Sequence, residues 1–279
     1  MVFKADLHTH THFSDGYLSV ESLLKKASSR NIKILSITDH DTLEGYAQAV
    51  TLSSQYNVLV IPGIELSTQY EGYEVHVLGY YFDYKNKVLS GYIRHFSEKR
   101  ISRAEAIIEN LKALGIEITI EDVLNEAKFG NIGRPHIARA LVRKKIVKNF
   151  GEAFRNYLGN NNPVNEPKFT LSPEEGIGLI KDAGGVAFLA HPGDFPEEFL
   201  EVLFARGFDG IEAIHPSHTS PVTSRLIRFA KEKGVPFSGG SDFHASNERD
   251  ESNFGKYFLN EDMFRSFNSI RAHPAISES

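Results

Sequence analysis

The sequence contains no cysteine. That absence removes disulfides and thiolate metal ligands together, so any metal this chain holds must be bound through imidazole and carboxylate. No apolar run approaches the roughly 20 residues that a membrane span needs. The opening "MVFKADLH" lacks the charged, apolar and small-residue regions of a signal peptide. A cytoplasmic protein with no membrane partner is therefore expected, and no obligate protein partner is inferred. Internal repeats and low-complexity tracts are missing too. With 279 residues, 41% hydrophobic and 24% charged, the chain lies in the ordinary globular range and can bury a full core.

What the chain does have is histidine, 12 in all, and three of them stand at every second position in "DLHTHTHFSD". Short β-type runs alternate with helical patterns along the first part of the sequence: "VFKADLH", "VESLLKKASS", "IKILSITDH", a helix after Thr42, "VLVIPGIEL" and "YEVHVLGYYF". The alternation resumes after Leu171. There, "SPEEGIGLIKDAG" carries Ser172 and Glu175 at capping-box spacing, followed by "GVAFLAHP", a helix after Pro196, "FDGIEAIHP", a helix near Thr223 to Lys233, and "VPFSGGSDFH". This is the rhythm of a β/α barrel. Between the two halves no strong strand appears, and Ile107, Ile108, Leu111 and Leu114 recur at helical spacing. The reading is a barrel from residues 1–93 and 171–279, interrupted by a helical insertion over 94–170.

The net charge of −5 is unevenly spread, because residues 94–150 carry an excess of five positive charges and the rest of the chain an excess of ten negative ones. A run "RKKIVK" at 143–148 belongs to the basic part.

Ligand-type residues sit at the strand ends. His8 and His10 follow the first strand, His40 ends "ILSITDH", Glu65 ends "VIPGIE", His191 ends "VAFLAH", His215 ends "GIEAIH", and Asp242 and His244 follow "PFSGGSDFH". In a parallel barrel these ends converge on one mouth. A lone histidine is more often an ordinary hydrogen-bonded side chain than a ligand, and His12, His95 and His273 are left in that class. The others are not independent, since an H-x-H pair on an extended segment puts both imidazoles on one side. One zinc site needs only three or four ligands, so the surplus argues for two or three metals sharing bridging carboxylates.

The segments "DLHTHTHFSDG", "TDHDT", "GIELS", "HVLGY", "AHP" and "GGSDFHA" resemble, in order, the motifs of the PHP (polymerase and histidinol phosphatase) superfamily over residues 5 to about 245. The insertion with "GRPHIARALV" and the later "IEAIHPSHT" is similar to bacterial members that act on nucleoside 3′,5′-bisphosphates and on the 5′ ends of short RNA. The resemblance implies a distorted seven-stranded (β/α) barrel and a metal-dependent phosphoesterase. It assigns one metal to His8, His10, Glu65 and Asp242, a second to Glu65, His76 and His191, and a third to Asp15, His40 and His244. Glu65, Asp242 and His191 become the catalytic centre. Some members carry histidine where this chain has Asp15, which bears on the third site because carboxylate and imidazole favour different ions. Manganese is the expected ion, with iron and zinc compatible.

The chemistry implied is attack by a metal-activated hydroxide, with clustered cations neutralising the phosphoryl group. No Ser or Cys nucleophile motif is needed, and the glycine pairs at 184–185 and 239–240 form no P-loop. Arg134 and His136 in "GRPHIAR", with His218, are the candidate phosphate-binding residues, the proline starting a helix whose N-terminus favours anions. Asp39 and Asp41 are candidates to orient imidazoles, and His215 to support the pocket. Two other functions compete: a histidinol-phosphate or other small phosphomonoester phosphatase, which fits the basic insertion less well, and a non-catalytic binding module. The module has no reason to confine nine expensive polar groups in one cavity.

Overall fold

Strand β1 (Ala5–Thr9) is buried at every position, which is what a parallel strand covered on both faces requires. The computed structural model describes residues 2–127, 132–159, 162, 164, 166 and 169–272. After β1, helix α1 (Val20–Ser29) buries Val20, Leu23, Leu24 and Ala27, one stripe at helical period, and Ser19 caps it by accepting from the Ser22 N–H. Strand β2 (Ile34–Ile37) and helix α2 (Glu44–Leu52) follow. The run "VLVIPGIEL" makes two strands instead of one: Pro62, which has no N–H to donate, separates β3 (Leu59–Ile61) from β4 (Gly63–Tyr70). Strand β5 (Tyr73–Tyr80) then returns antiparallel to β4 through a two-residue turn at Glu71 and Gly72, both at positive φ.

That hairpin breaks the expected all-parallel rhythm. The described strands form two sheets, β1-β2-β3 and β4-β5-β6-β7-β8, where β6 is Val186–Leu189, β7 Gly210–Ile214 and β8 Phe237–Gly239. No single closed barrel forms among them. The sheets touch at two isolated bridges, Thr9 with Phe243 and His40 with Glu65. Both bridges involve or adjoin the candidate ligands, so the seams between the sheets run through the site.

Residues 87–158 contain α3 (Lys87–Ala113), α4 (Ile120–Ala127), α5 (Arg134–Arg143) and α6 (Phe150–Ala153). Ile107, Leu111, Val123, Ile137, Leu141 and Leu158 share a hydrophobic cluster there, separate from those beneath the sheets. The cluster gives these helices apolar burial of their own, at ~25 cal/mol per Å². Helix α3 runs unbroken through residues 93 and 94. Its Leu89 packs in the sheet cluster and its Leu111 in the helical one, so one rigid element joins the two.

The remaining helices are α7 (Pro173–Asp182), α8 (Glu197–Phe204), α9 (Ser220–Lys233), α10 (Glu248–Asn253) and α11 (Glu261–Asn268). The capping box at α7 is present, with Ser172 Oγ accepting from the Glu175 N–H and Glu175 accepting from the Ser172 N–H. No helix among the described residues is long and apolar enough to cross a membrane.

Candidate metal centre

Glu65 is the third residue of β4, buried, and its two carboxylate oxygens face different imidazoles. Oε1 lies 2.8 Å from His76 Nδ1 and 2.9 Å from His191 Nε2. Oε2 lies 3.2 Å from His8 Nε2, 3.3 Å from His10 Nε2 and 3.3 Å from His40 Nδ1. Asp242 Oδ1 faces the same His8 and His10 nitrogens at 3.3 and 3.1 Å. A third carboxylate, Asp15, stands 3.2 Å from His244 Nε2 and 3.9 Å from His40 Nε2. The nine residues expected as ligands are thus brought together, though they come from positions 8 to 244.

Local structure explains how. His8 and His10 share one face of the extended β1 segment. His76 is not at a strand end; it lies inside β5, opposite Ser67, and reaches the cluster because the hairpin folds β5 back along β4. His191 and Asp242 take positive φ values of 22° and 49°, a backbone region that costs of order 1–3 kcal/mol for a non-glycine residue. Gly240 lets β8 approach β1: a Cβ there would sit 2.4 Å from His8 N and 2.5 Å from His8 Cβ. Gly240→Ala should therefore push His8 off its position and lower turnover about a hundredfold, the usual cost of an ångström-scale misplacement. Metal content and kcat measured together check this, and an alanine variant with both unchanged would refute the close-approach argument.

The electrostatics suit cations. Burial alone would raise the Glu65 carboxyl, but His40, His8 and His76 hold it well below its ordinary range. Burial lowers His10, yet Asp242 and Glu65 outweigh it and bring the ring to about 10. His40 goes the other way, to about 4, chiefly through burial.

A simple test of fit concerns His8 and His10, whose Nε2 atoms face each other at 3.1 Å. Two ring lone pairs repel at that distance unless a proton or cation lies between them. The same pair also faces anionic oxygens of Glu65 and Asp242, and His10 Nδ1 is buried with no hydrogen-bond partner among the described residues. An all-nitrogen and oxygen donor set of this kind fits divalent cations. The sets His8, His10 and Asp242; His8, Glu65 and His191; His40, Glu65 and His76; and His10, Asp15, His40 and His244 each bring ligand atoms within 4.8 Å of one another.

Other expectations meet different outcomes. His136 lines a cavity of about 250 Å³ with Asp15, His40, His76, Ser67 and Arg100. Its Nδ1 accepts from the Gly133 N–H at 3.1 Å. Burial first, then the Arg139 cation, lower it to about 4, so it presents a neutral Nε2–H donor. Arg134 does not line that cavity; its Nη1 donates to the Leu158 carbonyl at 3.0 Å. His218 is not a rim cation. It is buried, its Nδ1–H donates to the Ala213 carbonyl at 2.9 Å, and its Nε2 accepts from the Gly193 N–H at 3.1 Å, so the main chain uses both nitrogens.

Asp39 and Asp41 accept hydrogen bonds from main-chain, hydroxyl and guanidinium donors. Asp39 accepts from the Thr11 N–H, Thr11 Oγ1 and Ser14 Oγ, fixing the loop after β1. Asp41 accepts from the Ser67 N–H and Oγ, both at 2.8 Å, and from Arg100 Nη2 at 2.6 Å. His215 Nε2 stands 3.2 Å from Asp242 Oδ2. His12 Nδ1 meets the Leu18 carbonyl at 3.1 Å and His95 packs edge-on to Phe169, both ordinary placements. His273 lies outside the described residues. The basic run is engaged with α4: Arg143 pairs with Glu126 at 3.2 Å and Lys144 with Asp122 at 2.6 Å.

Two residues escaped the sequence reading. Arg100 is one basic residue among many on α3, and nothing in its spacing marks it. Glu212 did leave a signal, a charge in the middle of a strand buried on both faces. Its Oε1 accepts from His8 Nδ1 at 3.0 Å and its Oε2 from the His191 N–H at 2.9 Å. One carboxylate therefore orients a ring and holds a strained backbone. Glu212→Gln should lower metal affinity 10–100-fold, as loss of such an orienting carboxylate does. Competition against a chelator reads the change directly, and unaltered affinity would show that the contact is dispensable.

The chain is similar to known proteins along most of its length. A 5′-3′ exoribonuclease of Haemophilus influenzae is 32% identical over 250 residues, covering 88% of this chain and 91% of that protein. A 3′,5′-nucleoside bisphosphate phosphatase of Chromobacterium violaceum is 32% identical over 250 residues, covering 87% and 88%. A crystal structure from Bifidobacterium adolescentis, provisionally named a metal-dependent phosphoesterase, superposes with a TM-score of 0.84 at 29% identity, covering 95% of each chain. The PHP domain model matches residues 6–159. With the imidazole and carboxylate cluster in place, these matches show that the chain belongs to the PHP domain family and is a metal-dependent phosphoester hydrolase.

Proposed function

We propose that this chain hydrolyses phosphate esters of nucleotides, namely nucleoside 3′,5′-bisphosphates and the 5′ ends of short RNA. The observation that carries this reading is a cavity whose walls come from both the metal cluster and the helical segment, with Arg100 and His136 opposite His40, His76 and Asp15. Two or three divalent ions, manganese first and iron or zinc compatible, are assigned to His8, His10, Glu65 and Asp242; to Glu65, His76 and His191; and to Asp15, His40 and His244. Bound there, such ions activate water and neutralise phosphoryl charge.

The chain's own residues supply the rest. Glu65 divides its oxygens between two imidazole sets, the arrangement of a bridging ligand. Arg100, held by Asp41 and the Ile132 carbonyl, brings the guanidinium charge that phosphate recognition favours to the cavity wall, where Arg134 is not among the lining residues. His136 adds a neutral donor from the start of α5, where the helix dipole also favours an anion. We read the two seamed sheets as an opened version of the family barrel, with 94–170 as an insertion over its mouth, working in the cytoplasm.

A phosphate-release screen with manganese-loaded enzyme tests the substrate class. Adenosine 3′,5′-bisphosphate and 5′-phosphorylated RNA oligomers should show much better kcat/KM than mononucleotides, and the advantage should shrink as salt rises. Histidinol phosphate turned over equally well, with no salt effect, would return the chain to a generic phosphomonoesterase.

A further inference from the structure

A second cavity, of about 370 Å³, shares Ser14 and His136 with the first. Its other lining residues include Tyr17 from the loop after β1 and Arg139 from α5. His136 and Arg139 are three residues apart on α5, so they occupy one face of that helix, and the face runs from the first cavity into the second. The Arg139 guanidinium lies 4.6 Å from the centre of the Tyr17 ring, which is largely exposed. The Tyr17 N–H donates to the His244 carbonyl at 2.8 Å, tying this wall to a candidate metal ligand.

Arg139 is held in place but poorly used. Glu126, the carboxylate that shares the cavity, is taken by Arg143 at 3.2 Å. The Arg139 Nε is buried with no hydrogen-bond partner among the described residues. A cation stacked on an aromatic face keeps its edge N–H groups available, and a guanidinium edge matches two oxygens of a phosphate. A core packing role does not explain why the guanidinium of Arg139 stands at the wall of a cavity on an exposed ring.

We infer that the Tyr17–Arg139 cavity is a second phosphate subsite, holding the phosphate of the substrate that is not cleaved. This rests on the nucleotide reading above and deepens it: the selectivity for substrates with more than one phosphate comes from Arg139, and not from the 143–148 run that α4 engages. The phosphate belongs either to a nucleoside bisphosphate or to the next unit of an RNA strand. Arg139 grips both in the same way.

The test compares wild type, Arg139→Ala and Arg139→Lys on adenosine 3′,5′-bisphosphate and adenosine 3′-monophosphate, with titration calorimetry of both nucleotides on each protein. The ratio of the two kcat/KM values should fall about thirtyfold in the alanine variant and by less in the lysine variant, which keeps the charge without the fork. The ratio of binding constants should move the same way. An equal loss on both nucleotides, or no change in either ratio, overturns the subsite while leaving the nucleotide reading standing. If wild type cleaves neither nucleotide, the bisphosphate part of that reading falls, and the calorimetric ratio alone then decides the subsite: a preference for the bisphosphate that Arg139→Ala abolishes sustains it, and equal binding overturns it.

Discussion

Glu65→Gln should abolish hydrolysis, by at least about a thousandfold in kcat, or roughly 4 kcal/mol of transition-state stabilisation, while the protein stays folded. The substitution is nearly isosteric, but an amide has one carbonyl oxygen where the carboxylate has two equivalent anionic ones. In the native side chain Oε1 faces His76 and His191 while Oε2 faces His8, His10 and His40. Glutamine can serve one set as an acceptor and must turn an NH2 group toward the other. The loss should therefore appear in metal stoichiometry as well as in rate, and elemental analysis of the purified variant reads it. A folded Glu65→Gln enzyme with wild-type turnover would sink the bridging assignment.

Arg100→Ala should have the next largest effect, and it should act on two separate quantities. Asp41 is fully buried and pairs with Arg100 at 2.6 Å, so removing the arginine strands a buried carboxylate. Broken buried pairs cost about 3–5 kcal/mol of stability, and the lower end is expected here because Ser67 still donates two hydrogen bonds to Asp41. Independently, loss of the guanidinium charge at the cavity wall should lower kcat/KM by about 2–4 kcal/mol. The double variant Arg100→Ala/Asp41→Asn separates the two, since a neutral amide in place of the Asp41 carboxylate no longer needs the cation. Its denaturation midpoint should recover while kcat/KM stays low. If activity returns together with stability, Arg100 only braces α3 against the sheets.

The sequence by itself determined the chemistry of the centre. Without cysteine, only imidazole and carboxylate were left as ligands, and the H-x-H repeat of β1 needed nothing beyond the two-residue period of an extended chain to put His8 and His10 side by side. Strand-end placement found His40, His191, Asp242 and His244 for the same local reason. Helix stripes and the Ser172 capping box were equally legible, because each is settled within a few residues of itself.

Tertiary structure decided what depends on partners distant in sequence. The antiparallel return of β5 carries His76 into the cluster, and Pro62 with the Glu71–Gly72 turn makes that return possible, yet a run of β-formers reads alike in either direction. The positive φ of His191 and Asp242 is held by partners distant in sequence: the His191 N–H donates to Glu212 on β7, and the Asp242 N–H to the His8 carbonyl on β1. The division of labour among arginines was beyond reach for a related reason. Charge shows in composition, but direction does not: Arg134 turns to Leu158, Arg143 to Glu126, Arg139 onto Tyr17, and Arg100 alone of these four lines the metal-side cavity. A guanidinium goes where packing leaves an acceptor or a ring, and that geometry exists only once helices and sheets have met.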